Sequence, residues 1–281
     1  MEFDFTGIPS FGVAGNFTGH LEQAGEAEDF TAIKTVEAKA PKAVFPTYIP
    51  GISSTDVPHF LTEFPFSHDT IIFPKGEKKL QIEPECAVVF DAVWTSNQIS
   101  ELKPVCFGAS NDCSIRKEGA KKISEKKNWG KCSKGFAKYL IPVDRFCKGG
   151  VLDRYRIASF LVRNGEVSEY GEDSAVRDYS YIYEKLSQWL IEKLNFQRNE
   201  GPAEDVYSYL VSAGCPKRIM ISIGATRYTD FGEHNFLQDG DDAVVILYPE
   251  DSYSPEQIKL MVKNGDVDKN DISILWQKVV L

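Results

Sequence analysis

Apolar residues in this chain gather in short runs rich in Val, Ile, Phe and Tyr, bounded by Gly, Pro and Asn. Those at 43–48, 70–73, 82–90, 104–107, 138–143, 155–163, 218–224, 243–248 and 272–280 predict β-strands. Asn164-Gly165, directly after one of them, is a hairpin signal. One segment alone carries a long helical stripe: Tyr179, Ile182, Leu186, Trp189 or Leu190, and Leu194 predict a helix over 174–194 lying on a sheet. Short helices are expected over 18–25, over 205–213 before Gly214, and from the Ser254-Pro255 cap to Gly265. Residues 27–65 hold Pro41, Pro46, Pro50, Pro58 and Pro65 and read mostly as loop. Turn signals this close together, without long helices between strands, favour mixed or antiparallel β over a doubly wound sheet. No linker divides the chain, so the pattern predicts a single α+β domain over 1–281.

The strand at 82–90 raises a chemical question. Side chains alternate faces along a strand, so Glu83 and Glu85 share one, roughly 6.5 Å apart. Ala87 and Val89 continue that face without a polar atom. Two carboxylates leading into a core repel each other and need a counter-charge. A divalent cation meets that need, and all-oxygen ligation suits Mg²⁺, Mn²⁺ or Ca²⁺. Alternatively, the first residues of the strand lie at the surface and both carboxylates are solvated.

Composition narrows the class. The 281 residues are 42% hydrophobic and 26% charged, with a net charge of −9, which argues against general nucleic-acid binding. No apolar run approaches a membrane span. Met1-Glu-Phe-Asp is acidic where a secretory signal starts basic, so a cytoplasmic protein is expected. Six cysteines without a CxxC favour reduced thiols over a disulfide or zinc framework.

Several other stretches admit two readings. The Gly-rich turn before His20 could cradle a phosphate or simply join strand to helix. The lysine-rich run 117–127 reads as a solvated loop or as a cationic rim that attracts an anionic small molecule. Asp112 could ligate a metal or cap a turn. Arg116, four residues on, would pair with Asp112 if that segment were helical.

Taken in order, six motifs resemble the fumarylacetoacetate hydrolase superfamily. They are GNFTGH at 15–20, EPE at 83–85, NDCSIR at 111–116, SKGF at 133–136 followed by Pro142, VRNGEV at 162–167, and FLQDGD at 236–241. The resemblance covers about 11–248 and leaves 196–217 as an insertion and 249–281 as an extension. It implies a mixed β-roll with a few short helices, a homodimer, and one divalent metal, Mg²⁺ first, on Glu83, Glu85 and Asp112. It further implies His20, Lys134 and Arg116 as catalytic residues, Asn16 and Thr226 as substrate contacts, and a small anionic 2-oxo or diketo acid as partner. The implied activity is C–C hydrolysis, decarboxylation or tautomerisation through a metal-bound enolate.

The departures are as informative. Where hydrolytic members place a glutamate three residues after the helix histidine, this chain has Gln23, which cannot take a proton from His20. Gly119 replaces the family's glutamine, and Ala225 a threonine. His68 could supply a replacement base or be an isolated surface histidine. The metal side of the site is thus expected to be intact and the water-activating side altered, which leaves a catalytically silent metal- or ligand-binding protein as the alternative to an enzyme.

Overall fold

A computed structural model describes residues 4–31, 33–51, 57–117 and 119–281. The strand Pro84–Thr95 lies at the centre of an eight-stranded sheet, and its two neighbours position the site. On one side it pairs antiparallel with Gln98–Asn111, on the other with Arg218–Ala225. Ser10–Ala14 and Ala43–Tyr48 extend the sheet beyond Arg218–Ala225, and Lys134–Phe136 and Phe66–Ser67 extend it beyond Gln98–Asn111. Ile141–Pro142 also pairs with Gln98–Asn111. A second sheet runs in the order Glu166–Ala175, Tyr155–Arg163, Asp242–Pro249, Ser273–Val280, Thr70–Ile72. A two-stranded ribbon joins Leu80–Gln81 to Ser114–Ile115. Both large sheets are mixed, and the few helices lie outside them, so the fold is α+β as expected.

The strand Asp242–Pro249 shows why its apolar run is unbroken. Ala243, Val245 and Leu247 enter the main core, whereas Val244, Ile246 and Tyr248 enter a second core. That second core includes Ile258 and Val262 of the helix Pro255–Asn264. A strand covered on both faces loses polar alternation. The helix itself starts as predicted: Ser254 accepts from Gln257 N, Gln257 Oε1 accepts from Ser254 N, and Gly265 closes it in the left-handed conformation.

Four expectations need correction. The long helix is Tyr183–Phe196, not 174–194, because the hairpin strand Glu166–Ala175 runs through its first residues. Tyr179, assigned to its stripe, lies ahead of it and serves the site instead. The strand expected at 104–107 is Gln98–Asn111, with Pro104 tolerated at a register shift opposite Val89 and Phe90. The strand expected at 138–143 contracts to Ile141–Pro142, and a separate short strand, Lys134–Phe136, precedes it. The helix expected over 18–25 contracts to His20–Gln23.

The chain beyond 248 is built into the second sheet through Ser273–Val280. From that strand Gln277 donates to the carbonyls of Ser67, Thr70 and Lys134, and its Oε1 accepts from Asn111 Nδ2. One side chain of the tail therefore braces the end of Gln98–Asn111 and the start of Lys134–Phe136, beside Asp112.

Candidate metal centre

The long hairpin assembles the site through its register. Pro84 faces Asn111, and one step further Asp112 N donates to Glu83 O at 3.0 Å. Glu83 and Asp112 are thereby fixed opposite each other, although 28 residues separate them. Glu85 follows on the face it shares with Glu83. One oxygen of each of Glu83, Glu85 and Asp112 falls within 4.8 Å of the others, and all three residues are buried. The solvated reading of the two glutamates is thus excluded. Three hard, convergent oxygen donors fit a Mg²⁺, Mn²⁺ or Ca²⁺ ion.

The neighbouring strand supplies the next layer. Pairing between Arg218–Ala225 and the central strand slips between Ser222 and Ala225. At that bulge Gly224 (φ +122°) donates its N–H to Glu85 Oε2 at 3.0 Å, and its carbonyl accepts from Tyr179 Oη at 2.6 Å. A Cβ there would sit 3.0 Å from Asn16 Cβ, so both conformation and space require glycine.

Arg116 does not pair with Asp112, because the segment before it is extended rather than helical. It spends all five N–H groups on the site's frame. Nε donates to Gln81 Oε1, Nη1 to Glu26 Oε1 and Ser114 Oγ, and Nη2 to Glu83 Oε1 and Tyr228 Oη. None is left for a substrate, so Arg116 positions Glu83. Lys134 likewise donates to Asp112 Oδ1 at 2.8 Å and to Cys113 O at 2.6 Å.

The lysine-rich run departs furthest from expectation. It folds into a short 3₁₀ turn, Ile123–Lys126, and Lys126 and Lys127 are buried rather than solvated. Lys127 Nζ makes a very short hydrogen bond to Glu83 Oε2 and lies 2.9 Å from Asp112 Oδ2. The second contact is an ion pair off the hydrogen-bond direction, so Asp112 Oδ2 has no directed partner.

Electrostatics divides the carboxylates. Burial works against ionisation of Glu83, but Lys127 and Arg116 outweigh it and hold the group far below the usual range. Glu26 follows the same pattern more mildly. Among the described residues no cation pairs with Glu85; burial, Asp112 and Glu83 push its carboxyl well above the usual range. Burial lowers His20 and leaves a neutral imidazole, with Nδ1 unpartnered.

Glu83, Glu85, Lys127, His20, Glu26 and Phe45 all line one narrow cavity of about 10 Å³, room for a single water-sized body. Asp112, Arg116, Lys134, Asn16, Thr226 and His68 do not line it. Asn16 braces backbone instead, donating to Tyr181 O and Ile223 O and accepting from Tyr181 N. Thr226 is fully buried, its hydroxyl unpartnered, and His68 Nδ1 bonds Phe136 O. Gln23 is engaged at both ends with the Tyr228 backbone, donating to its carbonyl at 3.1 Å and accepting from its N–H at 2.9 Å. Sequence reasoning missed Glu26, Lys127 and Tyr228. Charge balance was the one signal for Lys127: buried anions need cations, and this run is the basic segment that follows Asp112.

A model described as a family of unknown function (DUF5718) matches residues 26–279. No curated protein matches the chain. Among solved structures it is similar to a putative fumarylacetoacetate hydrolase family protein from Yersinia pestis CO92. The two share 14% identity at a TM-score of 0.53, over 97% of this chain and 94% of that one. A 2-keto-3-deoxy-D-arabinonate dehydratase complexed with magnesium and 2,5-dioxopentanoate aligns at 15% identity and TM-score 0.53, over 97% and 72%. A 5-carboxymethyl-2-hydroxymuconate delta-isomerase from Mycobacterium smegmatis aligns at 13% and 0.50, over 97% and 78%. At such identities the likeness is one of fold.

Proposed function

This chain belongs to the family of unknown function DUF5718 and carries a divergent version of the fumarylacetoacetate hydrolase fold, and from that premise we propose a divalent-metal-dependent enzyme acting on a small 2-oxo or β-dicarbonyl acid. The observation that carries this reading is the buried triad Glu83, Glu85 and Asp112 beside the cavity that His20 lines. A divalent cation on that triad would polarise the oxo group and neighbouring carboxylate of the acid and offset the charge that develops on enolisation. The chain's own residues do the rest. Arg116 and Lys134 hold Glu83 and Asp112 in place. His20, neutral and with Nδ1 free of partners, accepts a proton from the carbon next to the oxo group and returns it.

Hydrolysis asks for more: a base that activates water, oriented by a carboxylate. Gln23 stands at that position and its amide is committed to Tyr228. Decarboxylation or tautomerisation therefore suits this site better than C–C hydrolysis. That same engagement of Gln23 favours a second reading, a catalytically silent protein that binds metal or ligand on the same frame.

Proton NMR in deuterium oxide separates them. Metal-loaded wild type should release carbon dioxide from oxaloacetate, or exchange its C3 protons, well above the Glu85→Gln background and faster than it hydrolyses a diketo acid. If wild type matches Glu85→Gln for a panel of 2-oxo and diketo acids while still binding them, the silent reading replaces the enzyme.

A further inference from the structure

Lys127 stands between two of the triad's three carboxylates, Glu83 and Asp112. Its ammonium touches Glu83 Oε2 and lies 2.9 Å from Asp112 Oδ2, two of the three groups whose oxygens converge within 4.8 Å. It also screens Asp112 from the cavity: Glu83, Glu85 and Lys127 line that space and Asp112 does not. The side chain is 3% exposed, and the ammonium lies 5.3 Å from the centre of the Phe45 ring.

Two features separate this lysine from an ordinary structural ion pair. Its backbone segment is anchored independently of the ammonium. Ser124 Oγ donates to Glu204 Oε1, Lys122 Nζ to the carbonyls of Gly201 and Ala203, and Asn128 Nδ2 to Thr47 O. The ammonium hangs on a flexible four-carbon stem and can leave while that backbone stays. In addition, both carboxylates keep other partners when it leaves: Glu83 retains Arg116, and Asp112 retains Lys134.

We infer that Lys127 is a displaceable internal counter-ion: it occupies the cation position of the triad, and a divalent ion binds by driving its ammonium off Glu83 and Asp112. The proposal rests on the metal-centre reading above and deepens it. Two cations cannot share those oxygens, since like charges in contact at a buried site repel strongly. The lysine makes the acidic cluster compatible with folding before metal arrives, and sets a threshold that a weakly bound ion does not pass.

The test is Mn²⁺ binding by calorimetry to wild type, Lys127→Met and Lys126→Met. Lys126 is the neighbouring buried lysine, paired with Glu26 and Asp29, and its substitution removes the same charge without freeing the triad. Lys127→Met should bind Mn²⁺ at least ten-fold more tightly than wild type, and Lys126→Met within about three-fold of it. Equal or weaker binding by Lys127→Met, or an equal gain in both variants, overturns the inference and leaves the metal centre standing. Binding by Lys127→Met with none by wild type makes the lysine a permanent occupant, which overturns displacement and the metal-dependent function together. No binding by any protein sinks both. If Lys127→Met fails to fold, Lys127→Gln keeps a donor for Glu83 without the charge. A Gln variant folded only with Mn²⁺ supports the exchange of ammonium for metal, and one unfolded in both conditions overturns it.

Discussion

Glu85 separates itself from the other two carboxylates by lacking a paired cation among the described residues. Burial and the adjacent Asp112 and Glu83 raise its pKa well above the usual value, so in the metal-free protein its proton is held more tightly than in the unfolded chain. The sign follows: stability falls as pH rises from about 4.5, the ordinary value, through the raised one. Glu83 runs the other way, its stabilisation present above 4.5 and lost as pH falls through its depressed pKa. Urea unfolding of metal-free protein from pH 5 to 8 should therefore show a decline that Glu85→Gln removes, each unit of raised pKa contributing about 1.4 kcal/mol. Mn²⁺ binding should release up to one proton, measured by calorimetry in buffers of different ionisation enthalpy. Parallel pH profiles for wild type and variant would assign the proton elsewhere.

Two elements shape the site from either side. The bulged end of Arg218–Ala225 presents the Gly224 amide to Glu85 with φ +122°, a conformation that only glycine adopts readily. Gly224→Ala should cost on the order of 1–3 kcal/mol in urea unfolding and weaken Mn²⁺ binding, because the amide and Asn16 must move apart. A variant that binds the ion normally would show that this amide does not orient Glu85. On the other side, the segment 196–217 buries Glu204 against Ser124 in the wall that carries Lys127. Burial raises the Glu204 pKa to about 7. Its proton is retained on folding, so the wall weakens as pH rises from 4.5 through 7, by about 3 kcal/mol at the upper limit. Glu204→Gln should be the more stable protein at pH 8 and lose that advantage at pH 5. Equal stability at both would place Glu204 outside the linkage.

In the molecule as a whole, the triad sits where the central hairpin of one sheet meets the short helix His20–Gln23 and the wall at Ile123–Lys126. The space open to a water-sized body beside the triad is about 10 Å³, room for no more than one water, so a bound acid would require the helix His20–Gln23 or the wall to shift. The helix His20–Gln23 is a single turn, pinned through Gln23 to Tyr228 and through the buried side chains of His20 and Leu21. Metal with oxalate or a 2-oxo acid should slow protease cleavage within residues 12–30, and either alone should not. Unchanged cleavage despite measured ligand binding would remove this helix, and His20 with it, from the mechanism.

The strands over 43–48, 155–163, 218–224 and 272–280, the Asn164-Gly165 hairpin and the capped helix after Ser254 were legible because each rests on local rules. Side-chain alternation, turn conformations and caps act within a few residues. The shared face of Glu83 and Glu85 was legible for the same reason. Asp112 joined them in the sequence only through ordered motifs, since a hairpin register is needed to bring Glu83 and Asp112, far apart in the chain, within a hydrogen bond. Lys127, Glu26 and Tyr228 had no local signature. Whether a lysine is solvated or buried depends on which anions the fold sets against it, and here those anions come from Glu83 and Asp112 at the facing ends of two strands. The same holds for Arg116, whose partners Glu26, Gln81 with Glu83, and Tyr228 lie in three separate stretches of chain. Backbone preferences are written residue by residue; charge compensation in a buried site is a property of the assembled core.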